Sequence, residues 1–410
     1  MEPSPSRRSP ETAVTHDCAV GAVPRLVAAA AARIAAGELN GRTVADLAAD
    51  LGVSERQLRR VLERELGVSP IALAQTHRLL MAKRLLTDTP LPVTRIAYAS
   101  GYQSLRRFNA AFRAHYRISP AALRRDPASA ADGPPRALTL TLSYRPPFAW
   151  EALLASLAAE AIPGVESADG SSYSRAVSLG GHEGWLVARH APQSRHVLVE
   201  VPAALVDQLI PLLARARRLF DLDAVPALID RHLAAHGLAG EVSAVPGLRV
   251  AGAFCGFESA VRALVGPEAA GAMAVIAGPV VDGAPPGVKR ALPPPSRIAV
   301  MEPDELGALG VQHSRAAALT AVAAMAADGR LCLEPCGDPR ATTLALTAGC
   351  GVEPSIADLI VARALRSPDA LPFPLPGVPA AVVDGWRPWR AYGAAHIRLR
   401  CAARAATSAQ

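Results

Sequence analysis

Lysine is almost missing from this chain of 410 residues. It occurs only at Lys83 and Lys289, so arginine supplies nearly all of the positive charge. With alanine plentiful, that is the mark of a coding bias and not of a function. Cysteine is scarce as well: six in 410 residues exclude a disulfide framework. Cys332 and Cys336 are spaced like a metal pair, but no second pair or nearby histidine completes a site, so neither metal nor cofactor is expected. No segment offers about 20 uninterrupted apolar residues for a membrane span. Residues 1–20 are polar and contain no apolar signal core. The absences predict a cytoplasmic protein with no membrane partner.

What is present is a long chain, half of it hydrophobic, with room for two or three domains that each bury a core. Its most specific feature is an internal duplication. Val44, Leu47, Ala48 and Gly52-Val53 recur 49 residues later as Val93, Ile96, Ala97 and Gly101-Tyr102, and Ser69-Pro70 returns as Ser119-Pro120. Such a period marks a repeated structural module. Each copy reads as two helices around a glycine turn. In the first, Val44, Leu47, Ala48 and Leu51 share a face, Gly52 makes the turn, and Ser54 with Gln57 predicts a capping box. Leu58, Val61 and Leu62 then face inward, which leaves Arg56, Gln57, Arg59 and Arg60 outside. In the second, Leu105, Phe108 and Phe112 form the inner stripe, so Gln103, Ser104, Arg106, Arg107, Asn109 and Arg113 point elsewhere. These residue types reach base edges and phosphates.

Charge agrees. Residues 42–127 hold 15 Lys or Arg against 7 Asp or Glu, a balance of +8 in a chain whose total is +7, so the remainder sums to −1. The basic character belongs to one segment, as an electrostatic footprint on a polyanion requires. Residues 42–125 are expected to bind duplex DNA by themselves.

The stretch Asp126 to Ala137 is rich in Pro, Ala, Gly and Asp and reads as a linker. Alternating segments follow at Leu138 to Tyr144, Ser172 to Leu179, Gly184 to Arg189 and His196 to Val201. With helical stretches near 148–161 and 203–218, they predict an antiparallel sheet with helices on one side. From about 222 the pattern is helical, interrupted by Gly/Pro-rich residues 283–295 and Pro-rich residues 368–379.

Residues 42–125 resemble the DNA-binding domain of AraC-type transcription regulators. The run from Ser104 to Arg113, followed by Ile118 to Arg125, looks most like the regulatory part of the Ada family of alkylation-response proteins. The resemblance implies recognition helices at about 54–63 and 103–114 on a long helix near 70–87, able to enter successive major grooves about 34 Å apart. The four-cysteine methyl-acceptor domain of Ada is not in front of it, since Cys18 is the only cysteine before residue 255. Residues 138–404 resemble the AlkA-type alkyladenine DNA glycosylases of the helix-hairpin-helix superfamily. The runs Tyr144 to Trp150, Arg217 to Asp223, Phe257 to Gly266, Ser314 to Leu331 and Trp386 to Tyr392 carry that likeness. The expected fold class is therefore multidomain and mainly α. Residues 1–41 form a tail and lead-in helix, 42–125 the tandem helix-turn-helix domain and 126–137 the linker. Residues 138–221 form an α+β antiparallel-sheet domain and 222–405 an all-α helix-hairpin-helix domain.

The second resemblance implies site residues that this chain lacks. The hairpin should read close to Leu-Pro-Gly-Ile-Gly-Pro-Trp-Thr-Ala, but the aligned stretch runs from Gly349 to Ala357. Gly351 is kept, and Glu353 replaces the second glycine. A carboxylate there opposes a DNA phosphate by about 4 kcal/mol at 4 Å under an effective dielectric near 20, before screening. The family's catalytic aspartate aligns with Leu375. The aromatic after the hairpin is Ser355, the one in the final helix is Arg398, and the glutamine and wedge expected after Gly266 are Pro267 and Glu268. No catalytic residue is assigned, and Asp369 and Asp384 are the acids near enough to act as surrogates.

Two readings follow. One is a sequence-specific DNA-binding regulator of the AraC/Ada type carrying an inactive AlkA-like module, with double-stranded DNA and RNA polymerase as partners. The other is an active DNA-3-methyladenine glycosylase with a fused regulatory domain. A protein that recognises lesions without catalysis lies between them. The oligomeric state is left open.

Overall fold

Serine and threonine set the helix starts in the first third of the chain. The computed structural model describes residues 22–124, 136–335, 337–371, 375 and 377–408. Helix α1 (Ala22–Ala35) leads into α2 (Val44–Asp50), α3 (Glu55–Leu66), α4 (Pro70–Asp88), α5 (Val93–Ala99), α6 (Leu105–Tyr116) and the short α7 (Pro120–Leu123). The hydroxyls of Ser54, Ser69, Ser104 and Ser119 each accept the backbone N–H three residues on, which satisfies an otherwise orphan donor. The duplication extends to the backbone. Gly52 and Gly101 make the two turns at φ 68 and 84, and Gly67 and Arg117 end α3 and α6 at φ 71 and 63. Arginine in the left-handed region costs roughly 1 kcal/mol that glycine does not, and the fold imposes that conformation there all the same.

The capping box expected at Ser54 forms only in its first half, Gln57 N–H to Ser54 Oγ at 3.2 Å. The complete box lies one helix earlier. There the shorter Asp46 side chain folds back to the Thr43 N–H at 2.8 Å while Thr43 Oγ1 accepts from Asp46 N–H.

A five-stranded antiparallel sheet follows in the order β1-β5-β4-β3-β2, with β1 at Ala137–Ser143, β2 at Glu166–Ala168, β3 at Ser172–Leu179, β4 at His182–Ala191 and β5 at His196–Pro202. Most of the expected linker, like Cys18 and Cys336, lies outside the described residues, and its last residue, Ala137, already pairs with Pro202. Leu138, Leu140 and Leu142 of β1 and Val197, Val199 and Val201 of β5 point to one face, packed under α8 (Trp150–Ala159) and α9 (Leu209–Leu219). The expectation of helices on one side holds only for these strands. Strand β3 is buried on both faces, because Ala176 joins the core of the helical part while Tyr173 and Val177 join the sheet core.

The remainder is helical: α10 (Pro226–Leu233), α11 (Ala239–Ala244), α12 (Gly256–Ala277), α13 (Pro295–Ile298), α14 (Pro303–Gly307), α15 (His313–Ala327), α16 (Pro339–Leu344), α17 (Pro354–Ala364), α18 (Ala380–Gly385) and α19 (Arg390–Ser408). Helix α12 is long and apolar enough to cross a membrane by length and composition. It is broken at Gly266, φ 79, and its Val261, Leu264, Ala270 and Met273 lie in the helical core.

The cores do not follow the chain segments. Helix α1 supplies Val27, Ala30, Ala31 and Ile34 to the core of the first helix-turn-helix unit. The second unit, with Phe108 and Phe112 fully buried, shares one continuous core with the sheet, α8 and α9. The seam also has polar contacts. Asp88 at the end of α4 accepts from Thr141 N–H at 3.1 Å and from its hydroxyl at 2.7 Å, which caps the edge strand β1. This packing runs against the expectation that residues 42–125 act alone. Cut there, the segment loses α1 and bares the apolar side of its second unit.

Candidate nucleic-acid interface and the cleft beside it

Burial of Leu58 and Leu62 fixes the rotation of α3, as burial of Phe108 and Phe112 fixes α6. Arg56, Gln57 and Arg60 are exposed on the first helix, and Arg106, Arg107 and Arg113 on the second. The other four expected contacts are less available. Arg59 is tied along its own helix to Glu55 at 2.6 Å, an exposed pair of the kind that is worth little and readily exchanged for a phosphate. Asn109 is half-buried, and the Ser104 hydroxyl is engaged as the cap of α6. The Gln103 amide donates to the Asn40 carbonyl at 3.3 Å. Sequence reasoning missed Asn40, because Asn-Gly in a sequence signals only a turn.

A cleft of ≈ 1970 Å³ lies between α1 and α4 on one wall and the sheet and helical parts on the other. Five carboxylates line it, and among the described residues each is already engaged. Asp221, almost wholly buried, accepts from Tyr392 Oη at 2.7 Å and from the Arg366 guanidinium. Asp223 pairs with Arg217 at 2.5 Å; burial would raise its pKa, but Arg217 and Arg366 hold it below the usual carboxylate range. Both oxygens of Glu160 accept from Arg363 at 2.6 Å. Asp338 caps α16 by accepting from Arg340 N–H at 3.1 Å. Asp369, one of the expected surrogates, is clamped by Arg387 at 2.5 Å and Arg390 at 2.9 Å. The other, Asp384, does not line the cleft and stands near the same two arginines at 3.4 and 3.8 Å. Asp230, whose carboxyl burial pushes up, is absent from the lining and accepts from Gly247 N–H at 2.9 Å.

The position expected from the sequence to match the family's aspartate is apolar in its surroundings too. Leu375 packs against the cluster that contains Ile229, Leu233, Val383 and Trp386. Arg398, where an aromatic was expected, lines the cleft. Burial and the neighbouring Arg363 guanidinium push its pKa down, against the pull of Glu160.

The hairpin is built as a hairpin. Helix α16 runs into a widened turn at Ala345–Gly349, the chain reverses through Gly351 at φ 69, and α17 starts at Pro354. Val352 is buried and holds the turn down, while Glu353 and Ser355 are exposed. The Ser355 hydroxyl donates to Glu353 Oε1 at 2.8 Å, which keeps a carboxylate over the first turn of α17. That turn is where the helix dipole and free N–H groups would otherwise meet an anion. Pro267 follows the break in α12, and Glu268 is exposed beside it. Among the described residues, no group of three or more His, Cys, Asp or Glu is placed to hold a metal.

Comparison with known proteins accounts for both halves. The helix-turn-helix domain family matches residues 47–126, and the AlkA N-terminal domain family matches residues 139–255. The chain is 32% identical over 422 aligned residues to the probable bifunctional transcriptional activator/DNA repair enzyme AlkA of Mycobacterium tuberculosis, covering 96% of this chain and 82% of that protein. It is 31% identical over 277 residues to DNA-3-methyladenine glycosylase 2 of Escherichia coli, covering 63% of this chain and 95% of that enzyme. With the HTH-type transcriptional regulator GlxA of Rhizobium meliloti it shares 38% identity over 74 residues, 18% of this chain and 23% of that one.

Proposed function

The chain belongs to the family of bifunctional proteins that join an AraC-type regulator to an AlkA-like glycosylase, and from that premise we propose that this member retains the regulator and has lost the enzyme. In this reading it is a sequence-specific DNA-binding transcription regulator, tied to the response to DNA alkylation, that works on chromosomal DNA in the cytoplasm alongside RNA polymerase. The sequence segments 42–125, 138–221 and 222–405 serve as its DNA-reading, platform and glycosylase-like units.

The observation that carries the loss of chemistry is the state of the acids. An AlkA-type mechanism needs a carboxylate facing the pocket to stabilise the cationic sugar. Here the aligned position holds Leu375, and the cleft acids are bound to arginines, a tyrosine or a helix start. The supporting losses agree: Ser355 and Arg398 offer no ring to stack a flipped base, and Glu353 opposes a phosphate at the hairpin.

The regulatory reading is tested with the full chain, since the second helix-turn-helix unit shares its core with the sheet. Sites selected from random duplexes are expected to contain two half-sites. Arg106→Ala and Arg107→Ala are each expected to cost about 1–3 kcal/mol where the guanidinium reads a base edge, and to relax specificity at that base, whereas Arg60→Ala on a phosphate weakens all sequences alike. Equal binding of every duplex at physiological salt would sink the regulator reading.

The likeness to Escherichia coli DNA-3-methyladenine glycosylase 2, which spans 95% of that enzyme, favours the second reading, an active enzyme for alkylated purines. It requires Asp369 or Asp384 to leave its arginines, and an excision assay on methylated duplex decides between the two.

A further inference from the structure

The two helix-turn-helix units have separate cores, the first shared with α1 and the second with the sheet. Their relative placement therefore rests on α4 and on whatever else crosses between them. One cluster does. Arg78, half-buried midway along α4, donates from Nε to Asn40 Oδ1 at 2.7 Å and from Nη2 to the Leu39 carbonyl at 2.5 Å. The backbone carbonyl of Asn40 accepts from the Gln103 amide, one residue before the cap of α6. The Asn40 side chain lies flush against the second turn, so that a Cβ on Gly101 would sit 2.5 Å from it. Asn40 belongs to the first unit, Gly101 and Gln103 to the second, and Arg78 to the helix between them.

We propose that Asn40, held by Arg78, is a positioning residue that fixes the second recognition helix relative to the first and so sets the half-site spacing the protein accepts. It touches no base. Its carboxamide accepts from Arg78 of α4 through Oδ1 and packs against Gly101, while its backbone carbonyl accepts from Gln103, just ahead of the second recognition helix. A long helix alone leaves its two ends free to bend and twist. A polar bridge that runs from Arg78 at its middle through Asn40 to Gln103 removes that freedom. This inference rests on the DNA-binding function proposed above and adds to it the geometry of the operator.

The test uses the full chain and the duplex it selects, together with versions whose spacer is lengthened or shortened by one base pair and a duplex with a single half-site. The wild-type protein is expected to discriminate sharply among spacers. Asn40→Ala removes a hydrogen bond to a charged group and is expected to weaken the natural operator by about tenfold. It should at the same time flatten the preference among spacers and leave single half-site affinity unchanged. Asn40→Asp keeps the acceptor for Arg78 and should restore spacer discrimination, while Arg78→Met should reproduce the alanine phenotype from the other side. Undiminished spacer discrimination in Asn40→Ala overturns the proposal. So does an equal loss on single and paired half-sites with a lower melting temperature, which marks a merely structural residue. Failure of the wild-type chain to select any duplex is a different outcome and fails the regulator reading itself.

Discussion

The full chain is expected to release no 3-methyladenine or 7-methylguanine from methylated duplex DNA above background. Removing one well-placed electrostatic stabiliser already costs on the order of a hundred- to a thousandfold in rate, and in the reading proposed above the stabiliser, the stacking rings and the phosphate grip are lost together. Leu375→Asp alone is not expected to rescue excision. The new carboxylate would enter the apolar cluster around Ile229 and Trp386, where an unpaired charge is expensive, and a stabiliser helps only once the base is flipped and held. Excision by the natural sequence that disappears in Asp369→Asn or Asp384→Asn would establish the enzyme instead. Excision that appears with Leu375→Asp would mean that the pocket is intact and that only the carboxylate was missing.

Arg175→Met is expected to lower stability by about 3–5 kcal/mol, the cost of leaving buried carboxylates without a partner, read as a shift of the urea midpoint. Arg175 on β3 is fully enclosed. Its guanidinium meets Glu166 at 3.3 Å and Glu258 of α12 at 2.7 Å, and it stacks over Phe254 at 4.0 Å. Glu166 also receives Arg262 at 2.9 Å, Tyr173 Oη at 2.7 Å and Ile162 N–H at 3.0 Å. This cluster pins α12 to the second face of β3.

Burial by itself would raise the Glu166 pKa, but Arg262, Arg175 and the Tyr173 hydroxyl outweigh it and hold the carboxyl below its ordinary value. The folded pKa therefore lies below the unfolded one. Its stabilising contribution is complete above the ordinary glutamate pKa, about 4.3, and is lost as pH falls through that value towards the folded one. Glu166→Gln should accordingly flatten the acid limb of the stability curve while lowering the plateau at neutral pH. An acid limb as steep as that of the wild type would remove Glu166 as its source.

Much of the fold was legible in the sequence because its signals are local. Serine caps that accept from the N–H three residues on, two turn glycines 49 residues apart and the alternation in β1 and β5 depend on neighbours in the chain, and the structure repeats them. The exposure of Arg56, Gln57, Arg60, Arg106, Arg107 and Arg113 follows from the same periodicity, since burying Leu58, Leu62, Phe108 and Phe112 leaves them no other side. The expected replacements at Leu375, Ser355, Arg398 and Glu353 rest on the frame that the flanking motifs set in the sequence. What the chain pattern could not settle is which surfaces meet. That β3 is covered on both faces depends on an arginine finding Glu258, 83 residues away. The availability of Asp369 depends on two arginines arriving from the start of α19 and the turn before it. Ion pairs of this kind have no period and no fixed spacing, so they exist only once the chain has folded. The same holds for Asn40, which reads as a turn in sequence and becomes the junction of the two DNA-facing units only when Arg78 and Gly101 are packed against it.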